Sequence, residues 1–298
     1  MSKRGDLINW SLFAILSIVW GSSFILMKVA LRTLVPYQVA SLRMIFGALI
    51  LLPVAVSQFR KIPRNKLGYV VLSGFLGSFF PSFLFCYAIT HIDSSLAGLL
   101  NTLTPIITIA TGVLIFHSTI PRNKVIGIVV GFTGMLFLFF SKGTADLKNI
   151  GFSFFVLAAV ISYSLNINMV NRHLREIGST SIAAVSFVPL IFPALAILLV
   201  TGYFQLPLRQ TNILLATGAA GLLGIMSTAI ASILFYALLK RAGAIFSSTV
   251  TYGIPFVALF WGMLDGEQIN AWQLLGLFII LGGVYLTNRR IERPKAEV

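Results

Sequence analysis

The chain has 298 residues, of which 57% are hydrophobic and only 10% are charged. Soluble domains carry roughly a quarter of their residues as charged side chains, so this composition excludes them and is typical of a polytopic membrane protein. The formal net charge of +14 does not indicate nucleic-acid binding, because no basic, aromatic-containing soluble segment is present and basic residues of membrane proteins collect in cytoplasmic loops.

Apolar segments of about 20 residues are long enough to cross a bilayer as helices. The sequence contains ten of them, which predicts an all-α integral membrane fold. The first is expected to be retained, since no small-residue cleavage site follows it. The predicted spans are Ile8–Leu31, Tyr37–Ser57, Leu67–Ile89, Ser95–Phe116, Val125–Ser141, Ile150–Asn171, Ser181–Thr201, Asn212–Leu239, Ala244–Met263 and Ala271–Asn288.

The lysines and arginines predict the orientation. With the N-terminus inside, sixteen of the 22 basic residues fall in inside segments, four fall outside and two lie within spans. Cytoplasmic segments are enriched in basic residues, so we expect both termini to be cytoplasmic. Omitting one span would destroy the alternation, which supports the count of ten.

Matching residues recur in corresponding spans of the two halves. The pairs lie 149 or 150 positions apart and are Tyr87 with Tyr236, Ala88 with Ala237, Pro105 with Pro255, Gly127 with Gly276, and Gly134 with Gly283. Because five spans is an odd number, the second half enters the membrane from the opposite side. The sequence therefore predicts two inverted repeats, residues 1–145 and 146–298, around a central cavity, which is the symmetry that alternating access requires.

Several motifs, in this order, resemble the drug/metabolite transporter superfamily in its EamA-type branch. They are "WGSSFILMKVAL", "ASLRMIFGALILLP", the "YAI" and "YAL" pair, and the "LTPI" and "GIPF" helices. The resemblance covers essentially the whole chain. It implies ten helices in two inverted halves, a central substrate cavity, and export or exchange of small metabolites in a bacterial inner membrane.

Polar residues within the spans are the candidates for the cavity wall. In the fourth span Asn101, Thr104, Thr108 and Thr111 recur at helical spacing, which predicts one polar stripe. A hydrogen bond to a neighbouring helix is the alternative and is favoured for any single serine or threonine, whereas asparagine is costlier to bury and favours the cavity. The predicted substrate-binding residues are Trp20, Ser23, Lys28, Arg43, Tyr87, Asn101, Thr104, Tyr163, Asn166, Tyr236, Thr251 and Tyr252.

Two of these candidates carry a charge within a span. Arg43 lies about 9 Å below the predicted outer surface at about 1.5 Å per residue, and Lys28 has a similar depth. Such charges usually face the protein interior, where they would attract a carboxylate or phosphate. A structural role is the alternative: Lys28 would extend to the headgroups, and Arg43 would cap carbonyls or pair with Asp93.

Prolines and glycines within spans have two interpretations each. Pro105 and Pro255 are hinge candidates because proline breaks the helical hydrogen-bond pattern, and static kinks are the alternative. Gly127 and Gly131 have GxxxG spacing, which favours close helix packing within the protomer or at a dimer contact.

The sequence predicts neither catalysis nor a cofactor. All eight acidic residues lie in loops or tails, and Cys86 is the single cysteine, so no catalytic group, metal site or buried proton relay is expected. The expected partners are a small-molecule substrate and the lipid bilayer, in a monomer or homodimer. The predicted function is transport of a small amphipathic metabolite, with an amino acid or related zwitterion first. A nucleoside- or sugar-like substrate and an intramembrane lipid-modifying enzyme are the alternatives.

Overall fold

The computed structural model describes residues 3–92, 94–140, 150–264 and 271–288. Within these ranges the chain is helical and contains no β-strand. Helices suit a bilayer because they satisfy their backbone hydrogen bonds internally. The α-helices are α1 (Lys3–Leu31), α2 (Pro36–Phe59), α3 (Arg64–Gly74), α4 (Phe80–Ile89), α5 (Ser94–Asn101), α6 (Thr104–Leu114), α7 (Arg122–Phe140), α8 (Ser153–His173), α9 (Ser179–Phe187), α10 (Ile191–Val200), α11 (Thr211–Leu222), α12 (Ala231–Ser248), α13 (Ile254–Leu264) and α14 (Ala271–Asn288).

Six helical runs among the described residues are long and apolar enough to cross a membrane. In the longest run, Thr211–Val257, Gly243 takes a φ of +83° and interrupts the helical backbone. Glycine adopts this conformation at little cost, so the chain can change direction here. Shorter apolar helices occupy Thr104–Leu114 and Leu274–Thr287. The six runs are Gly5–Leu31, Pro36–Phe59, Arg64–Ile89, Ser153–His173, Ser179–Val200 and Thr211–Val257.

The fourth predicted span is two helices rather than one. The first, α5, ends at Asn101, and the second, α6, begins at Thr104. Pro105 accounts for the break because it has no N–H to donate and its ring crowds the carbonyl four residues earlier. It therefore stands in the first turn of a new helix, where the missing N–H removes no hydrogen bond. Pro255 likewise follows an interruption, the 3₁₀ segment Thr249–Gly253.

Two π-helical segments interrupt the helices that precede these breaks. Phe75–Phe79 joins α3 to α4, and Leu223–Ile230 joins α11 to α12. The wider turn of a π-helix changes which side chains share a face and is frequent at functional sites. The polar faces of these spans therefore depart from a regular helical spacing.

Helices α7 and α14 pack closely against each other and meet through glycines. A Cβ atom on Gly283 would lie 2.3 Å from the Gly131 nitrogen and 2.6 Å from the Gly127 carbonyl oxygen. A Cβ atom on Gly134 would lie 2.8 Å from the Gly276 carbonyl oxygen. The GxxxG spacing thus serves packing within the chain.

Among the residues whose burial is described, apolar side chains form three clusters rather than one central core. One lies mainly between α2, α8 and α9, a second joins α1, α4, α8, α12 and α14, and a third joins α1, α2, α10 and α11. Large apolar side chains also cover the outside, as at Val200, Leu114 and Phe192, which are 88%, 74% and 72% exposed. This outer surface suits contact with lipid chains and not with water.

Candidate functional site

A cavity of about 990 Å³, including the space at its mouth, lies among these clusters. The structure places nine of the twelve predicted binding residues in its wall. They are Trp20, Ser23, Arg43, Asn101, Thr104, Tyr163, Asn166, Tyr236 and Thr251.

The other three predicted residues lie outside the cavity wall. Lys28 is exposed, as expected for a side chain that extends to the headgroups. Tyr87 belongs to an aromatic group, with its ring centre 4.9 Å from those of His91 and Phe155. Tyr252 is fully buried and donates a hydrogen bond of 3.0 Å to the Ile128 carbonyl oxygen.

The predicted polar stripe divides into two parts with different contacts. Asn101 and Thr104 line the cavity. Thr108 and Thr111 instead join α6 to α8, because the Asn168 side-chain amide donates to the Thr108 carbonyl and the Thr111 hydroxyl, both at 2.9 Å. The second part is a polar contact between helices, of the kind that small polar residues commonly make in membranes.

Arg43 is held against the second π-helical segment. Its Nε donates a hydrogen bond to the Thr228 hydroxyl, which itself donates to the Leu223 carbonyl at 3.2 Å. The contact requires a close approach of α2: a Cβ atom on Gly224 would lie only 2.4 Å from the Arg43 carbonyl oxygen. Glycine at 224 thus allows the guanidinium to reach the cavity wall.

The Arg43 charge has no acidic partner among the described residues. The contact with Thr228 is the one hydrogen bond of its side chain within that part of the chain. Asp93, the partner that the sequence offered, lies outside the described residues. A partly buried cation is costly unless an opposite charge compensates it, so this wall of the cavity is suited to an anionic group.

The rest of the wall combines apolar rings with neutral polar groups. The Trp20 indole N–H donates to the Ser227 carbonyl at 3.0 Å, and its ring centre lies 5.4 Å from that of Phe235. Phe24 and Phe85 add further apolar surface. The cavity can therefore accommodate an apolar body as well as an anionic group.

Sequence reasoning missed the polar lining contributed by the third and eighth predicted spans. Both π-helical segments and the residues that follow them reach the cavity. Serine-rich stretches at matching positions, "GSFFPS" and "GIMSTAIAS", were the available signal. The missed residues of these two spans are Gly77, Ser78, Ser82, Ser227, Thr228 and Ser232, and Ser247 of the ninth predicted span was missed as well.

The sequence profile of the EamA-like transporter family matches this chain twice, over residues 8–140 and 151–289. The chain belongs to this family. The predicted superfamily is thereby confirmed, and the protein is a transporter-type membrane protein.

Relatives of this EamA-like protein carry different names. It is 28% identical to a probable amino-acid metabolite efflux pump of Salmonella typhimurium, over 90% of this chain and 91% of the relative. It is 28% identical to an uncharacterized transporter of Clostridium kluyveri, over 87% and 86% of the two chains. It is 24% identical to an S-adenosylmethionine/S-adenosylhomocysteine transporter of Chlamydia trachomatis, over 89% and 84%.

The fold of this EamA-like chain also occurs among solved structures. One crystal structure superposes with a TM-score of 0.68 at 16% sequence identity, and the match covers 96% of both chains. This similarity shows a shared architecture.

Proposed function

We propose that the chain is an alternating-access secondary transporter that moves an amino acid or related zwitterion across the bacterial inner membrane, by export or exchange. The observation that carries the proposal is the Arg43 guanidinium, which has no acidic partner among the described residues, in a cavity otherwise lined mainly by aromatic rings, hydroxyls and amides. An amphipathic carboxylate has the matching chemistry, because guanidinium groups bind carboxylates through strong, charge-assisted hydrogen bonds.

We further propose ten membrane crossings in two inverted halves, residues 1–145 and 146–298. The double match of one family profile supports two equivalent halves. So do the π-helical segments Phe75–Phe79 and Leu223–Ile230 and the helix breaks before Pro105 and Pro255. Exchanging the shapes of two such halves would open the cavity to opposite sides in turn, with the prolines as hinges.

The proposed orientation places both termini in the cytoplasm. We expect a cysteine at exposed Arg209 to react with a membrane-impermeant maleimide from the periplasmic side, and a cysteine at exposed Arg60 to react only after permeabilisation. Labelling of spheroplasts tests this. The unsubstituted chain is the control, since its single cysteine, Cys86, is buried. The reverse pattern would contradict the orientation.

A larger nucleoside-bearing substrate is the second candidate. The S-adenosylmethionine/S-adenosylhomocysteine transporter among the relatives favours it, and the amide and hydroxyl groups of Asn101 and Tyr163 in the wall suit such a ligand. An intramembrane enzyme would instead need acids, histidines or cysteines converging within the spans, where the sequence places no acid.

A thermal-shift screen of the purified protein tests the proposed function. We expect amino acids, and not nucleosides or sugar phosphates, to raise the melting temperature. A ligand at about 100 times its Kd stabilises the folded protein by about 2.7 kcal/mol. Asn101→Ala should reduce the shift, whereas Thr133→Ala, an exposed threonine outside the cavity, should not. A shift with nucleosides alone would favour the second candidate. A shift that survives both Asn101→Ala and Asn166→Ala would count against the cavity.

A further inference from the structure

Two polar atoms in the cavity wall are buried and have no hydrogen-bond partner. They are Oδ1 of Asn166 and Oγ of Ser247, on side chains that are 3% and 0% exposed. Both residues line the same cavity as Arg43. Buried polar atoms in folded proteins nearly always have a partner, so an unpaired acceptor within a cavity indicates the place of a ligand group.

The orientation of the Asn166 amide follows from its neighbours. The Asn166 Nδ2 donates a hydrogen bond of 3.3 Å to the Tyr236 hydroxyl oxygen. This bond leaves Oδ1 as the free atom of the amide, and Oδ1 accepts hydrogen bonds only.

The first π-helical segment fixes the position of this amide. A Cβ atom on Gly77 would lie 2.3 Å from Asn166 Nδ2 and 3.2 Å from the Tyr236 hydroxyl oxygen. Only glycine leaves room for the side chain at this point. The free acceptor is thus held in place by packing as well as by hydrogen bonds, as a specificity-determining group requires.

We propose that Asn166 Oδ1 accepts a hydrogen bond from the ammonium group of the substrate, with Ser247 Oγ as a second acceptor. Arg43 supplies only donors and takes the carboxylate, so the two sites select the two charged ends of a zwitterion. The inference rests on the proposed function and deepens it: the cavity distinguishes an α-amino acid from the same acid without its amino group.

Competition in proteoliposomes tests this inference. Uptake of a ¹⁴C-labelled mixture of the twenty amino acids is measured against L-phenylalanine, L-leucine and L-methionine, and against the three corresponding acids that lack the amino group. In the unsubstituted protein, we expect at least one of the three amino acids to compete at a concentration about tenfold or more below the concentration at which its deaminated acid competes. Asn166→Leu should weaken competition by the amino acid alone, so that the ratio of the two concentrations falls to about threefold or less.

Two further variants make the result decisive. Asn166→Asp keeps an acceptor and should keep the preference for the amino acid over its deaminated acid. Ser247→Ala removes an unpaired hydroxyl without disturbing the contact between Asn166 and Tyr236, and it should lower the concentration ratio about threefold. Should Asn166→Leu fail to fold, the Ser247→Ala ratio decides. Saturable uptake with equal competition by both kinds of acid, or an unchanged ratio in Asn166→Leu or in Ser247→Ala, would overturn this inference alone. Absence of saturable uptake would overturn the proposed function and the inference with it.

Discussion

Gly283→Leu should strongly destabilise the fold, whereas Gly282→Leu should not. A side chain at 283 would meet backbone atoms of Gly131 and Gly127 at 2.3 and 2.6 Å, and backbone atoms of a packed helix cannot move aside as a flexible side chain can. Overpacking commonly costs about 1–3 kcal/mol and more where nothing can yield. We therefore expect the melting temperature to fall by about 6–12 °C, or the monodisperse protein to be lost.

The neighbouring glycine is a matched control because it shares the helix but not the contact. A Cβ atom on Gly282 meets nothing within 4 Å, so leucine there should change stability little. Size-exclusion chromatography and thermal melting of the two detergent-purified variants make the comparison. Equal stability of the two would show that α7 and α14 do not meet through this glycine face.

Arg43→Met should weaken amino-acid binding by about 30-fold or more while the protein still folds. Removing one partner of a buried, hydrogen-bonded charge pair typically costs 2–5 kcal/mol, and methionine retains much of the apolar stem. Arg43→Lys retains the positive charge but loses the planar group that donates to Thr228, so it should bind with intermediate affinity. Equilibrium binding of the ¹⁴C-labelled amino-acid mixture to purified protein measures the effect.

Lys28→Met is the matched control for this prediction. Lys28 is the other basic residue of a predicted span, but it is exposed and does not line the cavity. Its removal should leave affinity unchanged. Affinity lost in Lys28→Met and kept in Arg43→Met would place the anion site elsewhere.

The all-helical, membrane-type architecture is predictable because the length of an apolar segment is a local property of the sequence. Asn101 and Thr104 were predictable in the same way, as polar residues repeated along one apolar helix. The break after Asn101 was harder to predict, although proline chemistry explains it: Pro105 lies in the first turn of a new helix and not inside an existing one.

Side-chain direction was the part that the sequence could not predict. Tyr236 and Tyr252 look alike as tyrosines in apolar spans, yet one lines the cavity and the other donates to the Ile128 carbonyl. The difference arises from Gly131, where a Cβ atom would lie 2.5 Å from the Tyr252 ring. Ser227 and Thr228 were missed because a π-helix alters the periodicity on which helix-face arguments depend.

The most direct test of the central claim is counterflow in proteoliposomes with the cavity open or filled. Vesicles loaded with unlabelled amino acids should accumulate ¹⁴C-labelled amino acids transiently above the level of empty vesicles. Ser23→Trp, which places a large ring in the cavity wall, should abolish the accumulation, and Val200→Trp, on the outer surface, should retain it. Equal uptake by loaded and empty vesicles, or full transport by folded Ser23→Trp protein, would contradict the proposal that substrate passes through this cavity.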